Sequence, residues 1–223
     1  MRIYWAWAIS LNLIFASAIS ASAEPLSESF KLKLEATITG DISPKSVRSS
    51  NTGFVSAHNM MYSHSVTIYD ARNLELVKSI SDQVNLKDLG IKGYSGLHRG
   101  APVEGAFSPD GKHLYVTNYA MYGKGFNREG TDAFDLSTNK VVKSVKTGSA
   151  ARSLDISADG SALYVVNYTS NTLAKVRVSD FKVLQKINVC SRPIGVTYEK
   201  LQQRVWVACY GGSIKVFSDS QSQ

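Results

Sequence analysis

The amino-acid sequence predicts an all-β protein made of repeated four-stranded antiparallel units. Two blocks, 102–118 and 151–167, align residue by residue through a shared Ser-x-Asp-Gly and a following Leu-Tyr-Val. A third block, 193–209, has Val-Trp-Val there, and the central aromatic residue lies 13 positions after the first residue in all three. Two more β-rich runs follow the first two blocks. Four strands in each unit of about 40 to 50 residues are typical of a β-propeller blade.

The repeats divide the chain into four units, at about 41–81, 100–148, 149–190 and 191–217. In the second and third units, Asp110-Gly111 and Asp159-Gly160 separate two β-rich runs, a strong hairpin signal because both residue types tolerate positive φ. The first unit is a degenerate copy with a turn three residues shorter. The third and fourth strands are predicted at 65–70 and 75–80, 131–135 and 140–145, and 173–178 and 182–187, with a third strand alone at 213–217.

The last unit lacks a fourth strand, and residues 30–39 are predicted to supply it. The segment from Lys31 to Thr39 alternates apolar and polar side chains and precedes the first unit. A strand from the N-terminus would join the two chain ends in one blade and remove the exposed edges. The predicted fold is therefore a propeller of about four blades, as a closed or an incomplete ring, with residues 82–99 as an inserted loop.

The N-terminal 23 residues have the pattern of a secretory signal peptide. A single Arg2 precedes an apolar run from Ile3 to Ile19, and Ala21-Ser22-Ala23 provides the small residues of a cleavage site. The alternative is a membrane anchor, but the run is short and contains polar residues. Cleavage after Ala23 would leave residues 24–223 as one secreted or periplasmic propeller domain without a membrane span.

The composition excludes several classes of protein and partner. With 43% hydrophobic and 19% charged residues in 223, the chain is neither disordered nor a disulfide scaffold. The formal net charge is +7, but the basic residues are scattered singly. Nucleic acid is therefore not an expected partner.

Two segments resemble a known repeat. Leu114–Asn118 (Leu-Tyr-Val-Thr-Asn) and Leu163–Asn167 (Leu-Tyr-Val-Val-Asn), each after Ser-x-Asp-Gly, resemble the YVTN repeat of secreted and periplasmic bacterial β-propellers. The resemblance covers residues 41–217 and implies a propeller outside the cytoplasm. Members of that family usually have about seven blades, so the chain resembles a shortened member with about four. A closed four-bladed ring, an incomplete ring that must associate and a damaged gene product all fit this pattern.

The candidate site lies on one face of the predicted propeller. There, the loops between second and third strands adjoin the loops that enter the next blade, including the insertion at 82–99. Arg99 suits a carboxylate or phosphate, and Glu104 can hold a cation or orient Arg99. The alternative is that Arg99 and Glu104 pair with each other and that Asn118 only ends a strand. The candidate ligand groups are His58, His64, His98, Arg99, Glu104, Asn118, Tyr119 and Tyr122.

A metal site and a disulfide are the remaining structural hypotheses. His58, Met60, Met61 and His64 offer imidazole and thioether ligands for copper, although methionines beside a strand end more often pack in the core. No cofactor is predicted. Cys190 and Cys209 end strands that point toward the same face, so they form either a disulfide or two buried thiols.

Three functions remain open from the sequence. The first is a non-catalytic binding or scaffold module that takes a small molecule, peptide or protein on the loop-rich face. The second is a lactonase-like hydrolase in which His98, Arg99 and Glu104 together supply a base and an anion clamp. The third is a cell-envelope module that self-associates into a homo-oligomer. The sequence shows no nucleophile, base and orienting group at recognisable spacing, which favours the first.

Overall fold

The computed structural model describes residues 32–119 and 130–219, and within them it contains 17 β-strands and no helix. The described residues from Ile38 onward form one compact unit, separate from the segment that ends at Thr37. The first sheet and the insertion contain β1 (Pro44–Ser49), β2 (Phe54–Asn59), β3 (Ser65–Asp70), β4 (Leu76–Ser81), β5 (Val84–Asn85) and β6 (Leu97–His98). The other sheets contain β7 (Pro102–Phe107), β8 (His113–Asn118), β9 (Gly130–Asp135), β10 (Lys140–Val145), β11 (Ala151–Ile156), β12 (Ala162–Asn167), β13 (Thr172–Arg177), β14 (Lys182–Asn188), β15 (Pro193–Glu199), β16 (Arg204–Cys209) and β17 (Ser213–Ser218).

The sheets are antiparallel meanders placed side by side in a propeller-like arrangement. Three of them have four strands, β1–β4, β7–β10 and β11–β14, and the last has three, β15–β17. The first strands of successive sheets pack against each other, β1 on β7, β7 on β11 and β11 on β15. The pairing register repeats, with Pro44 opposite Asn59, Pro102 opposite Asn118 and Ala151 opposite Asn167, each followed by a bulge. The register thus repeats in the first three sheets at the positions that the sequence alignment makes equivalent.

The core consists of three apolar layers, one between each pair of neighbouring sheets. Strand side chains alternate between the two faces of a sheet, so one sheet contributes to two layers. Leu114 and Phe134 of the second sheet are buried against the first sheet. Tyr115 of the same sheet packs in the opposite direction, onto Phe181 of the third. Tyr164 of the third sheet in turn stacks on Tyr198 of the fourth, with ring centroids 5.3 Å apart.

The Ser-x-Asp-Gly turns are hairpins, as predicted, but only the glycine adopts positive φ. Gly111 has φ of 69° and Gly160 has φ of 75°. Asp110 instead accepts a 2.6 Å hydrogen bond from the Ser108 hydroxyl. Asp159 accepts the same bond in the third sheet, which lowers its pKa to about 2. The aspartate therefore stabilises the turn by accepting hydrogen bonds. The expectation that it adopts positive φ is wrong.

The predicted closing strand at 30–39 does not form in the described residues. Residues 32–39 contain no strand, and the side chains of Leu32 and Leu34 are fully or largely exposed. Alternation predicts which side chains a strand would bury, but it does not specify an edge with which to pair. β15 is not packed beside β1 among the described residues, so the sheets form an open arc. Residues 82–99 are irregular apart from β5 and β6, as the predicted insertion requires.

Two further sequence expectations concern the signal peptide and the absence of a membrane span. The predicted signal peptide, residues 1–23, lies outside the described residues. Among the described residues, the structure has no helix of the length and apolar character needed to cross a membrane.

Candidate functional site

Asparagines that end the second strand link separate segments of each sheet. Asn118 is buried, its Oδ1 accepts a 3.0 Å hydrogen bond from the backbone N–H of Ala101, and its Nδ2 donates to Asp132 at 2.6 Å. Asn59 and Asn167 are buried at the equivalent positions and bond in the same way to the segment before the first strand and to the third strand. Asn118 is therefore occupied inside the fold rather than presented to a ligand.

In the fourth sheet a disulfide takes the place of that asparagine. Cys209 stands opposite Pro193, as Asn118 stands opposite Pro102. It is bonded to Cys190, with the two Cα atoms 6.1 Å apart, so of the two alternatives left by the sequence the disulfide is the one that forms. The disulfide joins the entering segment to the second strand, the same two segments that the asparagines join by hydrogen bonds.

His58, predicted as a ligand and as a copper donor, is buried between the first two sheets. It is 0% exposed, and its Nδ1 lies 2.8 Å from the Ser46 hydroxyl and its Nε2 3.3 Å from that of Ser56. Burial, with a smaller contribution from the Arg48 charge, lowers the pKa of His58 to about 4. The ring is enclosed and hydrogen-bonded, so it is not available to a ligand. Among the described residues, no three His, Cys, Asp or Glu side chains are grouped to hold a metal ion.

The buried His58 is expected to make the protein less stable in weak acid. The unfolded chain binds a proton at this residue near pH 6.5, whereas the folded chain does so only near pH 4. The unfolded state therefore binds more protons in between, and the free energy of unfolding falls by up to about 3 kcal/mol as the pH decreases through that window. Urea melts at pH 7 and pH 4.5 should show this loss in the wild type and a smaller one in His58→Gln. Equal losses in both proteins would contradict it.

The other predicted charged groups are distributed over several elements. Arg48 donates to the Glu104 carboxylate, so the alternative in which Arg99 pairs with Glu104 is wrong. Arg99 itself is exposed. His64 lies 2.9 Å from the backbone oxygen of Gly100, and His98 lies 3.1 Å from that of Ser95. Glu104 thus belongs to a contact between the first strands of two sheets. Tyr122 lies outside the described residues.

The structure brings together a group of arginines and tyrosines at the loop face. Tyr119 and Tyr168 follow the second strands of neighbouring sheets, and their ring centroids are 6.4 Å apart. The guanidinium carbons of Arg152 and Arg192 lie 5.8 and 5.9 Å from the centroid of the Tyr168 ring. Tyr168 is half-buried, Arg192 is exposed, and neither arginine has an ion pair within the described residues. We refer to these four residues as the Arg–Tyr cluster.

The backbone fixes the tyrosines of this cluster in a repeated way. Tyr119 donates its N–H to the carbonyl of Ala101, and Tyr168 donates to that of Ala150, both at 2.9 Å. Tyr210 makes the same bond to Arg192 at 3.0 Å in the last sheet. Each tyrosine is thereby held beside the segment that enters its sheet, which is where Arg192 lies.

Of the Arg–Tyr cluster, sequence reasoning found only Tyr119. The signal for Tyr168 was available, because Asn-Tyr occurs at the end of two aligned blocks. No other repeat has an arginine at the position of Arg152 or Arg192, although the first unit has Lys45 at that of Arg152, so only the three-dimensional arrangement associates the two arginines with Tyr168.

No protein-family model matches the chain, and no curated protein matches its sequence. Among solved structures, Kuenenia stuttgartiensis hydrazine synthase matches with a TM-score of 0.64 and 19% sequence identity. The likeness is one of fold. The alignment covers 84% of this chain and 49% of the other, so the chain spans about half the length of that protein. As many as 1087 solved chains match, so the arrangement is common and by itself indicates no single activity.

Proposed function

We propose that this chain is a secreted, non-catalytic binding module that holds an anionic ligand at the Arg–Tyr cluster. The ligand class is a molecule that carries a carboxylate or phosphate group. The observation that carries the proposal is the placement of two guanidinium groups, neither in an ion pair within the described residues, about one half-buried tyrosine ring. Guanidinium forks bind carboxylate and phosphate oxygens with two parallel hydrogen bonds, and stacking on a ring fixes their orientation.

The surroundings of the cluster favour binding over structural pairing. An exposed arginine that only stabilises a turn pairs with a nearby carboxylate, as Arg72 does with Asp70 and Arg177 with Asp180. Arg152 and Arg192 instead stack on Tyr168. The tyrosine rings add apolar area and hydroxyl groups that can contact the body of the ligand.

The compartment in this proposal is extracellular or periplasmic. It is supported by the signal-like sequence of residues 1–23, by the YVTN resemblance and by the Cys190–Cys209 disulfide. Disulfides persist in oxidising compartments and are rare in the cytosol. On the same grounds we propose that the chain belongs to the YVTN propeller group. The Asn-Tyr segments at the end of two repeats supply Tyr119 and Tyr168 of the cluster.

Removal of either arginine of the cluster is expected to weaken anion binding about tenfold or more. The measurement is isothermal titration of the protein with citrate and with inorganic pyrophosphate at an ionic strength of about 0.02 M, where screening is weak. Arg152→Gln and Arg192→Gln remove the charge and keep the length and polarity of the side chain. Citrate and pyrophosphate distinguish a carboxylate site from a phosphate site.

Matched variants separate a site from a general charge effect. Arg72→Gln and Arg177→Gln remove the same charge from arginines that are already paired. These controls should leave the dissociation constants within about twofold of the wild type, because both arginines lie outside the Arg–Tyr cluster and a carboxylate already offsets their charge. A wild type that binds neither anion, or controls that weaken binding as much as the cluster variants, would overturn the proposal.

A further inference from the structure

The two end sheets of the arc each leave part of one apolar face exposed. On the first sheet a groove of about 260 Å³ is lined by Ile38 and Ile42, which precede β1, and by residues that we call the first end face: Val47, Val55, Ala57, Tyr69 and Leu74. On the last sheet a hollow of about 400 Å³ is lined by residues that we call the last end face: Val196, Thr197, Trp206, Ala208 and Ile214. Val47 is 66% exposed and Ile214 is 65% exposed, so these parts of the two faces lie open to solvent, whereas Ala57 and Tyr69 of the first end face are buried.

The first end face corresponds to a face that packs on a preceding sheet elsewhere in the chain. Val55 pairs with Tyr69 as Leu114 pairs with Phe134, so these residues occupy equivalent positions in the first and second sheets. Leu114 and Phe134 are 0% exposed because they pack on the sheet before them. Val55 and Tyr69 therefore occupy positions built for contact with a preceding sheet.

The last end face corresponds to the complementary face, which packs on a following sheet. Trp206 occupies the position of Tyr115 and Tyr164 in the earlier sheets, because each pairs with the fifth position of its own first strand. Tyr115 stacks on Phe181 and Tyr164 stacks on Tyr198, in both cases in the next sheet. Trp206 is 38% exposed, and the described chain places no following sheet over it.

One further equivalence shows what Trp206 would meet. Phe181, the partner of Tyr115, lies just before the outermost strand and has φ of 59°. Leu74 lies just before the outermost strand of the first sheet, has φ of 64°, and lines the first end face. If Trp206 follows the contact of Tyr115 with Phe181, and not that of Tyr164 with Tyr198 on a first strand, a last end face placed on a first end face would set Trp206 on Leu74.

We propose that a second copy of this chain covers both end faces, so that two copies close one ring. The last end face of each copy docks on the first end face of the other, which makes two equivalent joints related by a two-fold axis. The four sheets of one copy and the four of the other make eight, within the range of about 4 to 8 blades in propellers. Three copies would exceed that range. The proposal is independent of the Arg–Tyr cluster and of anion binding.

Light scattering coupled to size-exclusion chromatography tests this directly. The oxidised protein is measured from about 1 to 200 μM, a range in which interfaces of standard size associate. We expect a mass twice that of the chain at the upper end, with dissociation on dilution. Trp206→Glu and Val47→Glu, at opposite ends of the arc, should each raise the dissociation constant roughly thirtyfold or more, because a charge would be buried at a central contact.

A control variant separates this docking from non-specific association of apolar surface. Leu184, on the outermost strand of the third sheet, is 48% exposed but belongs to neither end face. Leu184→Glu should therefore leave the mass unchanged. A wild type that stays at the mass of one chain, a dimer that both end-face variants leave intact, or a series of larger species would each overturn the closed two-copy ring. Because the wild-type mass is itself decisive, the test stands even if one variant fails to fold.

Discussion

Gly105→Ala is expected to lower the free energy of unfolding by about 2 to 3 kcal/mol, because a methyl group has no room at this position. A Cβ there would lie 2.3 Å from Nε2 of His58 and 3.1 Å from a methyl carbon of Leu114. His58 cannot simply rotate away, since it is buried and lies within hydrogen-bond distance of Ser46 and Ser56. Displacing the ring would add the loss of those bonds to the steric cost. Urea unfolding at pH 7, followed by circular dichroism, measures the change.

Gly195→Ala is the matched control for that prediction. Gly195 also lies on the first strand of a sheet, but the nearest atom to its added Cβ is the Ala208 Cβ at 3.8 Å, an ordinary contact. This variant should be neutral or slightly more stable, because alanine restricts the unfolded chain. In a Gly105→Ala background, His58→Ala should cost less than it does alone, since it removes the clash. Equal losses for the two glycine variants would show that contact with His58 is not the cause.

The repeating sheets could be predicted from the sequence because each repeat contains the residues that form its own hairpin turn. The strands predicted at 65–70 and 140–145 coincide with β3 and β10, and the others differ by one residue at one or both ends. Serine, aspartate and glycine at fixed spacing specify the hairpin locally, so no distant contact is needed to predict it. The sequence also indicated the disulfide as one alternative, because Cys209 falls at an aligned repeat position and Cys190 lies two residues after β14, in the segment that enters the last sheet.

The features that the sequence did not predict depend on contacts between sheets. The Arg48–Glu104 pair joins residues 56 positions apart, and His58 is buried because Gly105 of the next sheet allows close approach. The alignment of repeats states which positions are equivalent, but not which side chain of a neighbouring sheet each position meets. The strand expected at 30–39 does not form in the described residues for a related reason. Its alternating pattern does not specify the sheet edge with which it would pair.

Replacement of both cysteines by serine is expected to lower the free energy of unfolding by about 3 kcal/mol. The disulfide closes a loop between residues 19 positions apart, and a loop of that size costs the unfolded chain entropy of about this magnitude. For a chain of this length the melting temperature should fall by roughly 6 to 12 °C. Calorimetry of Cys190→Ser/Cys209→Ser checks this, and wild type melted with a thiol reductant should match the variant. A melting temperature unchanged by either treatment would contradict the expected constraint.

Cys190→Ser/Cys209→Asn is expected to regain about 1 kcal/mol of that loss, the net value of a typical hydrogen bond. The first three sheets place an asparagine at this position, where its amide bonds to the entering segment and to the third strand. β16 and β17 repeat the register of β8 and β9, so the backbone can accept the same side chain. An asparagine variant that is no more stable than the serine variant would show that the entering segment of the fourth sheet differs from the others. The disulfide would then not be a covalent substitute for the asparagine hydrogen bonds.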